Sequence, residues 1–187
     1  MPNIVLIIGP QAVGKMTVGQ VLSKEIDYTL FHNHMTIELA LALFGYDKNV
    51  WKKMNKKFRD EIFEEFSKSN QKGIVFTYCF EFGEHLESEY AIVTEWMSKF
   101  ENAYVVELEA DIEERLKRNA TENRLKNKPS KRNLEWSNKD LLKSTENEKL
   151  NSAEGQGEKL FKNYMRINNT NLNPEEVVKL IRKKFNL

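Results

Sequence analysis

The amino-acid sequence predicts an α/β doubly wound domain: a five-stranded parallel sheet with helices on both faces, hence three α/β/α layers. Three observations carry that prediction. Short, continuous apolar runs rich in β-branched residues recur along the chain, as in strands buried on both faces. They alternate with segments whose apolar residues repeat at helical spacing. No internal repeat, low-complexity tract or long linker divides the 187 residues, so one domain over 1–187 is expected.

Each element follows from its local pattern. Asn3–Ile8 is a β-branched apolar run ending at Gly9, the first strand. Lys15–Ile26 carries Val18, Val21, Leu22 and Ile26 on one helical stripe, and Tyr28–His32 reads as a short second strand. Thr36–Phe44 is a helix closed by Gly45, and Val50–Lys68 a longer one with Met54, Phe58, Ile62 and Phe66 aligned. Gly73–Phe80 is the third strand, His85–Phe100 a helix and Ala103–Glu109 the fourth strand. Asp111 is expected to cap a helix from Ile112 to about Asn119. Thr121–Asn138 is polar and basic and contains Lys128-Pro129-Ser130, which predicts a mobile excursion. Leu141–Asn151 reads as a weak helix, Asn151–Gly157 as a loop and Tyr164–Asn168 as the fifth strand, and Pro174 opens a last helix.

Composition removes several classes of function. Cys79 is the only cysteine, which excludes a disulfide framework and a cysteine-rich zinc site. Twenty-nine basic residues against 28 acidic ones leave a net charge of +1, unlike a globally basic nucleic-acid binder. No apolar run approaches the roughly 18 residues of a membrane span, and no basic start or cleavage site marks a leader. A cytoplasmic protein with no membrane partner is expected.

The chemistry begins at Gly9-Pro10-Gln11-Ala12-Val13-Gly14-Lys15-Met16-Thr17, which has the G-x-x-x-x-G-K spacing of a phosphate-binding loop. Glycines let the backbone curl so that its N–H groups point at phosphate oxygens. The helix that starts at Lys15 adds its positive end, and the Lys15 ammonium reaches the terminal phosphates. Gly9, Gln11, Ala12, Val13, Gly14, Lys15, Met16 and Thr17 are therefore the nucleotide-binding candidates. Met16 stands where Ser or Thr usually meets Mg²⁺, and a thioether suits that hard ion poorly. Thr17 is left to serve the phosphates and a largely water-held Mg²⁺.

The order G-K-x-T resembles the loop of nucleoside monophosphate kinases, and GKMTVG over Gly14–Gly19 is similar to the GKSTVG of shikimate kinases. The chain thus resembles the small P-loop kinase superfamily of shikimate, gluconate and nucleoside monophosphate kinases, and a group of bacterial shikimate-kinase-like ATPases. The resemblance implies a P-loop kinase fold, acceptor-binding helices over about 33–70 and a small lid over about 119–138. It places His32, His34, Arg59 and Glu81 on the acceptor side. His32 and His34 point the same way if the segment is extended, and His34 is the candidate to orient or deprotonate an acceptor hydroxyl. Arg59 lies in Phe58-Arg59-Asp60-Glu61, near the F-R-x-x-E of shikimate kinases, with no acid at a facing helical position. Glu81, the first acid after the third strand, is a candidate for a water-held Mg²⁺, for a general base, or for an ordinary solvated loop residue. Shikimate kinases carry an Asp segment where this chain has none, which argues against shikimate itself.

Between Arg115 and Arg132 stand eight basic residues and one acid. A lid that neutralises phosphate charge, a solvated basic face and an RNA-binding strip all fit such a run. Only Trp136 lies near it, whereas single-strand binders interleave aromatics, so nucleic acid is not the expected partner. The resemblance makes Arg115, Arg118, Arg124 and Arg132 lid arginines, with Arg118 and Arg124 catalytic beside Lys15, and puts Asn169 and Thr170 near the adenine. The expected function is an ATP- and Mg²⁺-dependent phosphotransferase acting on a small-molecule substrate, as monomer or homodimer. A nucleoside or nucleotide kinase and an RNA-associated ATPase are the alternatives.

Overall fold

A computed structural model describes residues 1–187, the side chain of Lys48 excepted. Five parallel strands form one sheet: β1 (Asn3–Ile8), β2 (Thr29–His32), β3 (Gly73–Thr77), β4 (Ala103–Glu109) and β5 (Tyr164–Asn168), in the order β2-β3-β1-β4-β5. The register aligns Val5 with Val75 on one side and with Tyr104 on the other, so β1 is the central strand. Its Val5, Ile7 and Ile8 are fully buried, which explains why the run reads as continuous rather than alternating. The helices are α1 (Lys15–Ile26), α2 (His34–Phe44), α3 (Lys48–Ser67), α4 (Leu86–Met97), α5 (Ile112–Asn119), α6 (Glu122–Asn127), α7 (Leu134–Asn147), α8 (Gln156–Leu160) and α9 (Pro174–Phe185). Among the described residues, no helix is long and apolar enough to cross a membrane.

The sheet separates two cores of different character. One face gathers aromatics: Phe31, Phe63, Phe76, Phe80, Trp96 and Phe100, beneath α3 and α4. The other is aliphatic: Val5, Ile7, Val18, Leu22, Val106, Val178 and Ile181, beneath α1 and α9. α9 is fixed at its start by a reciprocal cap in which Asn173 and Glu176 each accept the other's backbone N–H.

Several boundaries differ from the sequence reading. β3 stops at Thr77 rather than Phe80 because its neighbour β2 ends at His32 and β1 turns at Gly9; Phe80 stays buried among the aromatics without ladder partners. α3 starts two residues earlier than expected because Asp47 accepts from the Asn49 N–H. Asp111 precedes α5 but its side chain caps nothing; its own N–H donates to Thr170 Oγ1 at 3.0 Å. The largest correction concerns Thr121–Asn138, expected as a mobile excursion. It folds into α6, a 3-10 turn (Pro129–Lys131) and the start of α7, which absorbs the weak helix expected over Leu141–Asn151. Its asparagines use their amides as structural donors and acceptors: Asn127 bonds back to Asn123, Asn133 caps α7, and Asn119 holds Ser137 and Asn138. α8 likewise begins inside the expected loop Asn151–Gly157, folding tightly over Tyr164.

Candidate active site

β1 delivers the chain to the sheet's upper edge at Gly9, whose φ of +135° and neighbouring Leu108 carbonyl, 2.3 Å from where a Cβ would sit, admit only glycine. The loop then passes through Ala12 at φ +59° and Gly14 at φ +107° before α1 begins. Lys15 folds back over this curl: its Nζ donates to the Gly9 carbonyl at 2.5 Å, the Pro10 carbonyl at 2.7 Å and Cys79 Sγ at 3.3 Å. Burial lowers the Lys15 pKa; the Cys79 charge and hydrogen bond oppose that, while Arg124 and Arg115 reinforce it. Burial alone would raise the Cys79 thiol, but the charge and hydrogen bond of Lys15, with Lys128 and Arg124 beyond, leave it below the ordinary thiol value.

Above the loop lies a cavity of about 230 Å³. Lys15, Arg118, Arg124 and Lys128 supply its cations, Thr17 and Thr121 its hydroxyls, and Leu172 and Pro174 apolar surface with Asn169. Ala12, Val13, Gly14 and Met16 also line it, and Gln11 stands behind, its Oε1 accepting from Ser144 Oγ at 2.8 Å. Thr17 is reached from the lid by Asn123 Nδ2 at 3.4 Å, and the same amide donates to Gln20 at 2.9 Å.

The four arginines of the basic run do different things. Arg115 is buried and donates through Nε to the Gln11 carbonyl at 2.9 Å, leaving one buried N–H group unpartnered. Arg118 bridges the loop to the turn after β5, donating to the carbonyls of Val13 at 2.9 Å, Asn169 at 2.8 Å and Thr170 at 3.2 Å, while Glu114 accepts from its Nε. Asn169 makes the same bridge from the other side, its Nδ2 donating to the Val13 carbonyl at 2.9 Å, and keeps a buried, unpartnered Oδ1. Thr170 instead holds the Asp111 N–H. Arg124 is 8% exposed, and its Nε is buried with no partner. Arg132 is exposed, donates to the Leu125 carbonyl and does not line the cavity.

After β2, where the acceptor residues are expected, α2 begins at His34, so the extended alternation expected for His32 and His34 ends at Asn33, which is already helical. Burial holds His32 down to about 4 and leaves its Nδ1 unpartnered. Burial also holds His34 down to about 3, against the pull of Glu38, whose Oε1 lies 3.0 Å from His34 Nδ1. The Glu38 carboxylate accepts further bonds from the Ser130 N–H at 3.2 Å and Ser130 Oγ at 2.5 Å, so it joins α2 to the lid. Arg59 is 5% exposed and turned inward: Nε donates to Thr36 Oγ1, and the guanidinium donates to Asn33 and lies 5.8 and 5.6 Å from the Phe76 and Tyr78 ring centres. Burial lowers its pKa to about 10. Glu81 sits half-buried after β3, beside Glu89 and Glu148, both of which burial pushes up and Glu81 pushes further. It is apart from the cavity lining, and among the described residues no three His, Cys, Asp or Glu side chains converge as a metal site. For a hard cation the loop offers the Thr17 hydroxyl alone, a donor set that suits Mg²⁺ carried in on substrate phosphates with most of its waters retained.

Lys128, Cys79, Glu38 and Asn123 join the site without having been singled out from sequence. For Lys128 and Cys79 a signal existed: the lysine immediately precedes the run's proline, and the only cysteine lies near the end of the third apolar run.

No family model matches the chain, and no curated protein sequence matches it. Solved structures do. The shikimate kinase from Bacteroides thetaiotaomicron aligns at 12% identity over 99% of each chain, with a TM-score of 0.59. The gluconokinase from Sinorhizobium meliloti 1021 aligns at 13% identity over 99% of this chain and 95% of that one, TM-score 0.57. An unliganded sugar kinase from Janibacter sp. HTCC2649 aligns at 11% identity over 100% and 95%, TM-score 0.62. At such identities the likeness is one of architecture: the chain has a shikimate-kinase-like P-loop kinase fold.

Proposed function

We propose that this protein is an ATP-dependent kinase that phosphorylates a small-molecule acceptor. The observation that carries the reading is the cavity itself. Lys15, Arg118, Arg124 and Lys128 line it without an acid among the lining residues, and Leu172, Pro174 and Asn169 add a less polar seat. A polyanion joined to a planar base matches both features. The kinase architecture of the solved structures supports the same reading.

In this mechanism the loop N–H groups from Gln11 to Lys15 and the Lys15 ammonium hold the β- and γ-phosphates. Lys15 exchanges its bonds to the Gly9 and Pro10 carbonyls for phosphate oxygens, so those two carbonyls hold the lysine where it is used. Bound Mg²⁺ would supply charge neutralisation between the phosphates, with Thr17 its protein oxygen. Arg124 brings an unpartnered Nε to charge that grows on the transferring group. Arg118 and Asn169 clamp the turn after β5 against Val13, fixing the wall on which a base would rest. The acceptor approaches from β2 and α2. His32, neutral near pH 7, keeps a buried, unpartnered Nδ1 on that side, the nitrogen this reading assigns to the proton of an attacking hydroxyl. Arg59 is committed to Asn33 and Thr36, so in this reading it shapes the acceptor wall rather than gripping a carboxylate.

An RNA-associated ATPase fits less well. The arginines of the basic run that would grip a backbone, Arg115, Arg118 and Arg124, turn inward to the loop and cavity. Lys15→Ala should abolish transfer from ATP to any acceptor found by thermal-shift screening of sugars, nucleosides and hydroxy acids with an ATP analogue present. Undiminished transfer in a correctly folded Lys15→Ala protein would reject the proposal.

A further inference from the structure

We propose that Lys128 is a third phosphate-binding cation of the cavity, set in place by the Glu38 carboxylate that fastens the lid to α2. The inference rests on the kinase reading and deepens it. Lys128 lies at the break between α6 and the 3-10 turn, its backbone at φ −135° and ψ 73° out of the helical region that the following proline disfavours. From there its side chain lines the cavity with Lys15, Thr17 and Arg124. Its basic neighbours are committed elsewhere: Lys131 pairs with Asp140 at 2.8 Å and stands 4.4 Å over the Trp136 ring, and Arg132 binds Leu125. Two residues beyond Lys128, Ser130 gives both its N–H and its hydroxyl to Glu38, which also holds His34. One carboxylate therefore fixes both the start of the acceptor-side helix and the stretch of lid that aims Lys128.

The surroundings explain what such a lysine does. Burial, then the charges of Arg124 and Lys15, pull its pKa down to about 7; the Cys79 thiol pulls the other way, and Lys131 adds a further lowering. His32 faces it from β2, and His34 and Glu38 from α2. At neutral pH the amine is thus divided between its charged and neutral forms, unlike an ordinary lysine. Arriving phosphates reverse the sign of the local potential, and Lys128 takes one proton from the solvent onto its Nζ, with no other bond made or broken. Above pH 7 nucleotide binding then becomes linked to proton uptake, and affinity falls as the pH rises toward the bound-state value.

Calorimetry tests this with the intact chain, MgCl₂ and a non-hydrolysable ATP analogue at about pH 8, in two buffers of different ionisation enthalpy. The wild type should take up a large fraction of one proton. Lys128→Met should lose most of that uptake and bind about tenfold more weakly, while its melting temperature without nucleotide stays level or rises because a repelled cation is gone. Lys128→Arg, always charged, should keep its affinity within a few-fold and show no uptake. Glu38→Ala should lose affinity and uptake without touching the ligand, and Glu38→Gln, which keeps an oxygen for Ser130, should retain most of both. Wild-type affinity or undiminished uptake in Lys128→Met overturns the proposal when Lys15→Ala has lost binding. If Lys15→Ala also binds normally, the kinase reading itself has failed.

Discussion

Ala12 holds a left-handed backbone conformation, φ +59°, that costs an L-residue about 1–2 kcal/mol and that glycine adopts freely. The curl of the phosphate loop is therefore built partly on strain that its neighbours must hold, and Gly9 is the neighbour with least latitude. A methyl group there would enter the Leu108 carbonyl, so Gly9→Ala should lower the unfolding free energy by more than about 2 kcal/mol, measured by urea denaturation. Gly155→Ala, in the left-handed region at φ +69° but with nothing within 4 Å of its Cβ, is the matched comparison and should cost only about 1 kcal/mol. The loop was legible in sequence because its whole geometry lies within nine consecutive residues. Lys128 and Glu38 were not, because their roles depend on groups separated by long stretches of chain; Glu38 meets Ser130 across 92 residues. Arg59 falls between: the lack of a facing acid on its own helix was readable, but the Asn33 and Thr36 that answer it come from α2.

At the scale of elements, the segment from α6 to α7 shows why composition misled. Asparagine, lysine and proline without an apolar stripe read as loop, yet here asparagine amides replace apolar contacts as the adhesive of α6 and α7. The connection from α2 to the 3-10 turn should be acid-labile. His32 and His34 protonate only near 4 and 3 when folded, against 6.5 for an ordinary histidine, so below that value the unfolded chain binds the extra protons. Burial pushes the Glu38 carboxyl up, but bonds from His34 and Ser130 outweigh it and leave it below its ordinary value, so its contribution too is lost as the pH falls. The melting temperature should accordingly drop by several degrees between pH 6.5 and 4, at about 2–4 °C per kcal/mol. His34→Asn should flatten that slope; an identical slope in the variant would remove His34 from the explanation.

At the scale of the whole molecule, the alternation of strands and helices was readable because each buried strand is continuous and each helix striped. The unequal cores were not, since which helix covers which face depends on the crossovers. The aromatic face concentrates its stabilisation in few side chains: Phe63 is fully buried and meets Phe31, Phe76, Trp96 and Phe100 at ring-centre distances between 5.0 and 6.1 Å. Phe63→Ala should cost about 3–5 kcal/mol, a large share of the roughly 5–15 kcal/mol typical of a domain, read from the midpoint of guanidinium unfolding. The sheet order has another consequence, in the time domain of synthesis. β1 lies between β3 and β4, yet β4 is translated roughly a hundred residues after it. At about 5–20 residues per second, the run Asn3–Ile8 waits on the order of 5–20 s before both of its hydrogen-bonding edges can be occupied. The central strand of the finished protein is thus, during its birth, the one whose hydrogen-bonding edges stand open longest to a neighbouring nascent chain.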